Sequence, residues 1–507
     1  MRPPGPGRQV VAVLQLRSSS LEPAARRRVR IAMAGVPLLV VAAVVAGASA
    51  SDRVLPQTRS DSLLLLPTAF LAFGVAALIA AIASSGGREM LPRSQLAALP
   101  VSPTADHLGA VLLAPLNLAW VLQAVALLGL VGLGVGWTPG LVAAVVTTLA
   151  WALAATVVAQ TVAWVVELLR TAPGGVWIVR VTAAALAGAA VALSSTGGLV
   201  SLLDNSPTVH IVIQVVQGSE GDWTPWLKGL AELALASALA LAVGGSLATV
   251  ISRRPHRDSG RVETRTYPAR ADLRSDVVAV LRVDRASVWR STPLRRGLVV
   301  LALVPGASAA IARLPWEVLP LLPGLVASGA CLLFGVNALS LDSGGTVWRE
   351  SLPLRSRTWL IARALVIVEV AAASTLLALA VSAARAPEPP TVAAGVAVVT
   401  AVVVICAQVL ARCLQWSLHR PYRADLRGAR DAPAPPAAMA WYSARLALST
   451  TLVGMVLSLA ARAPSPTWAL AVGLPVLLLA LRRVMVSLRE WEDPDIRSLV
   501  VTTVAGG

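Results

Sequence analysis

Two glutamates in otherwise apolar stretches are the first side chains that could do chemistry in this sequence. Glu369 lies inside one apolar run, and Glu232 lies near the end of another. A carboxylate held in the membrane interior can carry a proton or bind a transported ion, as transporters driven by an ion gradient require. For Glu369 the alternative is a structural role, either packing with Arg363 or a position at the inner membrane surface.

Metal and redox chemistry are not indicated by the residue types. The four histidines are far apart in the sequence, and none belongs to a pair with the spacing of metal ligands. Cys331, Cys406 and Cys413 lie in or beside apolar runs and form no CxxC pair. The sequence therefore predicts no metal site, no disulfide framework and no cofactor in this chain.

Nucleotide chemistry is not indicated either. The single lysine, Lys228, stands in "TPWLKGL", which lacks the G-x-x-x-x-G-K-[ST] pattern of a phosphate-binding loop. No motif suggests nucleic-acid binding, and no cluster of acids, His or Ser suggests a catalytic residue. We therefore expect that the chain is not an enzyme, and a polytopic membrane enzyme is the weakest of the hypotheses.

The composition is that of a membrane protein. Of the 507 residues, 56% are hydrophobic and only 14% are charged. In soluble domains about a quarter of all residues are charged. The apolar runs reach the roughly 20 residues that a helix needs to cross the hydrocarbon layer, and they lack the alternation of barrel strands. The sequence therefore predicts an all-α polytopic membrane protein.

Twelve apolar runs are predicted as transmembrane helices. They are 31–50, 62–83, 109–136, 140–166, 177–203, 227–251, 298–312, 318–341, 361–384, 391–411, 441–460 and 467–488. The run 298–312 is the weakest of these predictions, because it is short for a span and contains Pro305.

The basic residues support this number of spans. If the amino terminus is cytoplasmic, all but six of the 43 basic residues fall on the cytoplasmic side, as the positive-inside rule expects. The six on the outer side are Arg53, Arg59, Lys228, Arg313, Arg385 and Arg462. We therefore expect both termini in the cytoplasm. Arg supplies all but one of the basic residues, and Ala and Val dominate the apolar runs, which resembles the composition of a high-GC bacterial genome, so we expect the inner membrane of a bacterial cell. An Arg-rich lead and "ASA" at 48–50 also resemble a cleavable signal peptide, but the charges favour an uncleaved arm.

Two polar segments occur twice. "VVAVLQLRSSS" from Val10 is echoed by "VVAVLRVDRAS" from Val277, and Ser-Gly-Gly followed by Leu-Pro occurs after the second span of each half. The register of this second echo is ambiguous, because the first loop contains two Leu-Pro pairs. Chance similarity between Ala- and Val-rich helices is the alternative. The echoes favour two parallel repeats of six spans, which would enclose a pathway between them.

These features divide the chain into predicted segments. The echoed arm has apolar residues at helical spacing, which predicts a weakly amphipathic helix on the membrane surface or a solvated basic arm. The segments are a cytoplasmic arm at 1–30, a first membrane half at 31–251 with a cytoplasmic coupling-type loop at 84–108 and an external segment at 204–226, a cytoplasmic basic linker with a second interface helix at 252–297, a second membrane half at 298–488 with a coupling-type loop at 342–360, and a cytoplasmic tail at 489–507.

This layout resembles the membrane permease of ABC-2-type exporters. In that family each six-span half begins with an amphipathic cytoplasmic helix, and the loop between the second and third spans forms a coupling helix that meets an ATPase subunit. Residues 8–22 and 276–291 look like the first element, and 88–108 and 348–360 look like the second. The chain departs from a single-half permease in fusing two halves.

The resemblance implies a permease subunit of an ABC exporter. Its partners would be the lipid bilayer and two copies of a separate ABC ATPase, which would bind the ATP. The charged residues that would contact the ATPase are Arg88, Glu89, Arg93, Arg349, Glu350, Arg355 and Arg357. A secondary transporter is the alternative, with Glu369 and Glu232 as its polar intramembrane residues. The external segment 204–226 has only a short counterpart at 462–466.

Overall fold

The computed structural model describes residues 5–19, 23–83, 101–114, 118–196, 198, 202, 205–253, 275–342, 344–423 and 434–506. Helices are the regular elements throughout this part of the chain, and no strand occurs in it. The chain divides into two compact units, Met1–Arg257 and Asp258–Gly507. An all-helical architecture is therefore confirmed, while the repeat within it stays a prediction.

Nine helices form the described part of the first unit. They are α1 (Pro6–Ser19), α2 (Pro23–Ser51), α3 (Pro56–Ala83), α4 (Pro103–Leu113), α5 (Leu118–Val135), α6 (Leu141–Arg170), α7 (Gly175–Thr196), α8 (Pro207–Glu220) and α9 (Trp223–Ser252).

The second unit contains nine α-helices in its described part. They are α10 (Asp276–Arg290), α11 (Thr292–Ile311), α12 (Leu322–Leu332), α13 (Gly345–Glu350), α14 (Ser356–Ala383), α15 (Val392–His419), α16 (Pro436–Ala460), α17 (Thr467–Glu490) and α18 (Pro494–Ala505), with short 3-10 helices at Leu319–Leu321 and Gly335–Leu341.

Ten helical segments of the described chain are long and apolar enough to cross a membrane. They match ten of the twelve predicted spans. The other two predictions, 109–136 and 177–203, correspond to the shorter apolar helices Trp120–Val135 and Gly175–Ala190. The structure therefore supports a multi-pass membrane protein, whereas twelve spans and cytoplasmic termini stay predictions.

The span predicted at 318–341 is not one continuous helix. After α12 the backbone turns through a 3-10 segment in which Asn337 has the non-helical angles φ −142° and ψ 84°. Backbone groups released by such a break need partners when they are buried. The hydroxyl of Ser417 accepts a hydrogen bond from the backbone N–H of Ala338 at 2.8 Å, and Asn337 Nδ2 donates to the Tyr422 carbonyl at 2.6 Å. The break is thereby fixed against α15 and the segment that follows it.

The two echoed segments form helices that pack against their own units. In α1, Val10 and Val13 are buried in a small cluster with Ala105 of α4. In α10, Val280 is buried in a cluster with Trp359 and Ala362 of α14. Each helix thus covers part of its apolar side with the beginning of a later helix of the same unit.

Close backbone contact between α2 and α5 depends on glycine. A Cβ added to Gly47 would overlap the carbonyl oxygen of Gly129, and one added to Gly132 would lie 2.7 Å from the carbonyl oxygen of Val44. A Cβ added to Gly129 itself would meet its nearest atom, the Ala43 carbonyl oxygen, at 3.7 Å, which is an ordinary contact. Small residues that let helices approach closely are typical of membrane helix pairs.

These contacts predict unequal effects of alanine substitution. We expect Gly47→Ala to destabilise the first unit by about 1–3 kcal/mol, because the two helices must separate to admit the methyl group. Gly129→Ala, on the same helix pair, is the matched control and should change stability by less than about 1 kcal/mol, since its methyl group has space. Thermal unfolding of the two variants in detergent measures the difference. Equal unfolding temperatures would contradict the helix contact.

Candidate functional site

Four charged side chains from separate elements meet in the interior of the second unit. Asp284 comes from α10, Asp342 follows the broken span, Arg349 lies in α13 and Arg363 lies in α14. The side chains of Asp284 and Arg363 are fully buried, and Asp342 and Arg349 are 5% and 14% exposed. We call this set the buried ionic cluster. Buried charges of this kind persist only when they are paired and hydrogen-bonded.

Arg363 is the centre of the buried ionic cluster. Its Nε and Nη2 donate to the two carboxylate oxygens of Asp284, both at 3.1 Å, which is the bidentate geometry that a guanidinium favours. Nη2 also donates to Asp342 Oδ2 at 2.6 Å, and Nη1 donates to the backbone carbonyl of Ala338 at 2.8 Å. Arg363 therefore binds the interface helix α10 and the broken span at the same time.

Arg349 completes the cluster from α13. Its Nη2 forms an ion pair with Asp284 Oδ1 and another with Asp342 Oδ1, the latter at 2.9 Å. The same guanidinium lies over the ring of Trp359, 4.6 Å from the ring centroid, where a cation–π contact is favourable. Two arginines and two aspartates balance in charge, so the cluster is neutral as a whole.

Burial and the neighbouring arginines shift the pKa of Asp342 in opposite directions. Burial raises the pKa of its carboxyl, and the positive charges of Arg363 and Arg349 act against that rise. If either arginine were lost, less positive charge would counteract the effect of burial on the pKa of Asp342, and the protonated form of this carboxyl would be favoured. The ionised carboxylate thus depends on the two arginines.

The chemistry of the cluster is structural. Both carboxylates accept hydrogen bonds from guanidinium groups, and both arginines are occupied by the acids, so the set is arranged to hold elements together. It joins α10, the end of the broken span, α13 and the beginning of α14. The cluster therefore connects α13 to both α10 and α14.

The predicted coupling residues of the second loop do not share one environment. Arg349 points inward to the buried ionic cluster. Glu350 forms an ion pair with Arg497 of α18 at 3.1 Å, and Arg357 forms one with Glu492 at 3.6 Å. Arg355 is exposed. Arg88, Glu89 and Arg93 lie outside the residues that the structure describes.

The two glutamates singled out for transport also have different surroundings. Glu369 Oε2 accepts from Nε of Arg285 at 2.5 Å, and these side chains are 33% and 46% exposed. Arg363, the packing partner considered from the sequence, binds Asp284 and Asp342 instead. Glu232 is exposed on α9. Glu232 belongs to the first unit and Glu369 to the second.

Sequence reasoning missed Asp284, Asp342 and the role of Arg363. A signal was available in α10, whose buried residues Val280, Asp284 and Val288 recur every four residues. An acid on the buried stripe of an amphipathic helix needs a partner on the element that covers it. Spacing along the chain could not identify that partner, because Arg363 is 79 residues away.

The side of α13 that points away from the cluster is exposed and partly apolar. Trp348 is 73% exposed and Val347 is 53% exposed. Arg355, between α13 and α14, is also exposed. We call these three residues the α13 surface. Aromatic side chains and arginines are enriched at protein–protein interfaces, so the composition of the α13 surface is suitable for binding another protein.

Comparisons with known proteins give no relative from which a function could be transferred. No protein-family model matches the sequence, and no curated protein or solved structure matches it.

Proposed function

We propose that the chain is the membrane permease subunit of an ABC exporter, driven by ATP that a separate ATPase subunit hydrolyses. The observation that carries the proposal is the buried ionic cluster, which fastens the short helix α13 to α10 and α14. A permease without its own nucleotide site must receive movement from outside the membrane. A rigid connection between an exposed helix and a candidate membrane span supplies a route for that movement.

The position of α13 supports this role. The helix contains only six residues, from Gly345 to Glu350, and these separate into two environments. Arg349 enters the buried ionic cluster, whereas the neighbouring Val347 and Trp348 are exposed. A partner bound to the exposed side would therefore act on the cluster through a single helical turn.

The carboxyl-terminal helix supports α13 from another direction. Arg497 of α18 binds Glu350, and the Trp491 indole Nε1 donates to the Ser356 carbonyl at 2.9 Å. These contacts hold the segment from Glu350 to Ser356, which directly follows Trp348 and contains Arg355. A contact site with rigid support transmits force better than a free loop, because less of the movement is absorbed by local rearrangement.

Transport driven by an ion gradient is the alternative function. It would use Glu369 as the ion- or proton-binding carboxylate. The ion pair between Glu369 and the partly exposed Arg285 gives this alternative less support, because the carboxylate already has a partner on α10. Glu369→Gln would abolish gradient-driven flux if the alternative were correct, and should leave ATP-driven movement intact under our proposal.

A photo-crosslinking amino acid at Trp348 tests the proposed ATPase contact. We expect it to capture a protein that contains a phosphate-binding loop and hydrolyses ATP, because Trp348 is the most exposed large side chain of α13. The matched control is the same amino acid at Trp468, which is 59% exposed at the beginning of α17.

Variants of the α13 surface extend this test. We expect Trp348→Ala to weaken ATPase binding by about tenfold or more, as truncation of an aromatic anchor does at other interfaces. Arg355→Glu should act in the same direction, and Trp468→Ala should have no effect on binding. Identical crosslinks at both tryptophans, or unchanged ATPase binding by Trp348→Ala and Arg355→Glu together, would contradict the proposal.

A further inference from the structure

A basic cavity lies between α15 and α16, away from the buried ionic cluster. Its volume is about 200 Å³, and its lining includes Arg412, Arg420 and Arg445 together with the rings of Trp416 and Tyr442. No carboxylate belongs to the lining in the part of the chain that the structure describes. The cavity therefore concentrates positive charge in a space large enough for a small polar group.

Arg412, in the lining of this cavity, experiences the positive charge of two other arginines. Arg445 of α16 and Arg483 of α17 both act as like charges on Arg412 of α15. The nearby acid Glu490 is engaged with His419, with 3.7 Å between Oε1 and Nε2. Mutual repulsion between clustered cations is relieved when an anion binds among them. The charge distribution thus favours an anionic ligand.

Two buried N–H groups of the cavity lining also favour a ligand with hydrogen-bond acceptors. Among the described atoms, neither Nε of Arg412 nor Nε1 of Trp416 has a hydrogen-bond partner, although both are buried. A buried donor without an acceptor costs about 1–3 kcal/mol. Since both residues line the cavity, a ligand that offers several oxygen acceptors there would satisfy them.

The aromatic groups give the cavity a fixed wall. The ring of Trp416 lies against that of Tyr442, with centroids 5.3 Å apart, and the guanidinium of Arg420 lies 4.7 Å from the Trp416 ring centroid. The Tyr442 hydroxyl is already engaged with Cys413 Sγ at 3.0 Å. The wall therefore holds Trp416 and Arg420 in place, and the buried donors without a partner among the described residues of the lining are Nε of Arg412 and Nε1 of Trp416.

We propose that this cavity binds a phosphate group, of the kind that an anionic phospholipid headgroup or a phosphorylated solute carries. Arginine matches phosphate through several parallel N–H donors, and a phosphate offers enough oxygens for the guanidinium and indole donors together. Arg412 stands in the last turns of α15, a candidate span that ends at His419, and Arg420 follows directly. Basic pockets between the ends of membrane helices are suited to lipid headgroups.

Binding to the purified full-length chain tests the proposal. The probes are a short-chain phosphatidylglycerol, a diacylglycerol with the same acyl chains but no phosphate, and inorganic phosphate compared with chloride at equal ionic strength. We expect phosphatidylglycerol to bind more tightly than diacylglycerol in native mass spectrometry and to raise the unfolding temperature. Arg412→Gln and Arg445→Gln should each weaken binding by about tenfold or more, the loss expected for a charge-assisted hydrogen bond.

Control variants separate binding from folding. Arg462→Gln removes an exposed arginine beyond the other end of α16 and should leave binding unchanged. Trp416→Phe removes one donor while it retains an aromatic ring, so it should weaken binding less than Arg412→Gln does. Asp425 and Asp431, which lie outside the described residues, are the acids of the connection from α15 to α16. Their replacement by Asn should not reduce phosphate binding.

The outcomes distinguish the source of the phosphate. A response to phosphatidylglycerol alone assigns the cavity to lipid, and a response to inorganic phosphate alone assigns it to a soluble phosphorylated compound. A response to both supports a site that recognises the phosphate itself. The proposal is overturned if diacylglycerol binds as tightly as phosphatidylglycerol and neither phosphate source responds to Arg412→Gln, Arg445→Gln or Trp416→Phe.

Discussion

Replacement of Arg363 by methionine is expected to destabilise the second unit by about 3–5 kcal/mol, because it leaves buried acids without their main partner. Asp284 would lose both of its hydrogen bonds to the Arg363 guanidinium, and Asp342 would lose one. The Ala338 carbonyl of the broken span would lose a donor as well. The loss is measured as the fall in stability to thermal or detergent-induced unfolding of the purified chain.

The exposed ion pair between the same two helices provides the control. Arg285 of α10 binds Glu369 of α14, as Asp284 of α10 binds Arg363 of α14, but the Arg285–Glu369 pair is partly exposed. Exposed pairs contribute about 0–1 kcal/mol, so Arg285→Met should have little effect. Similar losses in Arg285→Met and Arg363→Met would refute a special role for the buried ionic cluster.

The pH dependence of Arg363→Met gives a second check. Burial raises the pKa of Asp342 and Arg363 opposes the rise, so the pKa should be higher in the variant. A carboxyl whose pKa is raised by folding favours the folded state at low pH and loses that contribution as pH increases through its folded pKa. Arg363→Met should therefore lose less stability relative to the unsubstituted chain in mildly acidic buffer than in alkaline buffer.

Replacement of Arg349 by methionine is expected to separate α13 from the rest of the cluster while the unit stays folded. Asp284 and Asp342 would each keep a hydrogen bond to Arg363, but the ion pairs from α13 and the cation–π contact with Trp359 would be lost. The short helix would keep the Glu350–Arg497 ion pair but would move more freely relative to α14. Under the proposed function, ATP hydrolysis by the partner would continue but would no longer move the membrane helices.

Spin labels measure this loss of rigidity without a substrate. Gly345 of α13 has room for a labelled side chain, since no atom lies within 4 Å of an added Cβ, and Leu376 of α14 is 55% exposed. Labels at these positions should give one narrow distance distribution in the unsubstituted chain. Arg349→Met should broaden it, and Arg285→Met should not. A narrow distribution in Arg349→Met would contradict the coupling role of the cluster.

The sequence was sufficient to predict those helices whose apolar residues form a local pattern along the chain. Runs of apolar residues predicted ten helices that the structure has at matching positions. The helical spacing of apolar residues in the echoed segments predicted α1 and α10, although not the packing of Val13 and Val280 against later helices of their own units. Periodicity shows which residues share a face, and it does not show what covers that face.

The candidate site depended on contacts that no local pattern records. Arg349 was expected on a surface because it lies in a polar loop. In the structure it forms a buried ion pair with Asp284, which lies 65 residues earlier in the sequence. The break at Asn337 was hidden in an apolar run that predicted a continuous span. The predictions for Arg349 and for the span at 318–341 were wrong for the same reason. Polar groups at the end of a candidate membrane helix form hydrogen bonds and ion pairs with residues distant in sequence.

Purification of the tagged chain from its own membranes in mild detergent is the most direct test of the proposed function. The proposal predicts that two copies of an ATPase with a phosphate-binding loop remain bound to each chain, and that ATP hydrolysis by this complex is lost when the ATPase dissociates. The bound ATPase should be depleted in the Trp348→Ala preparation and retained in the Trp468→Ala preparation. A folded chain that purifies without any ATPase, under conditions that retain other membrane complexes, would contradict the proposal.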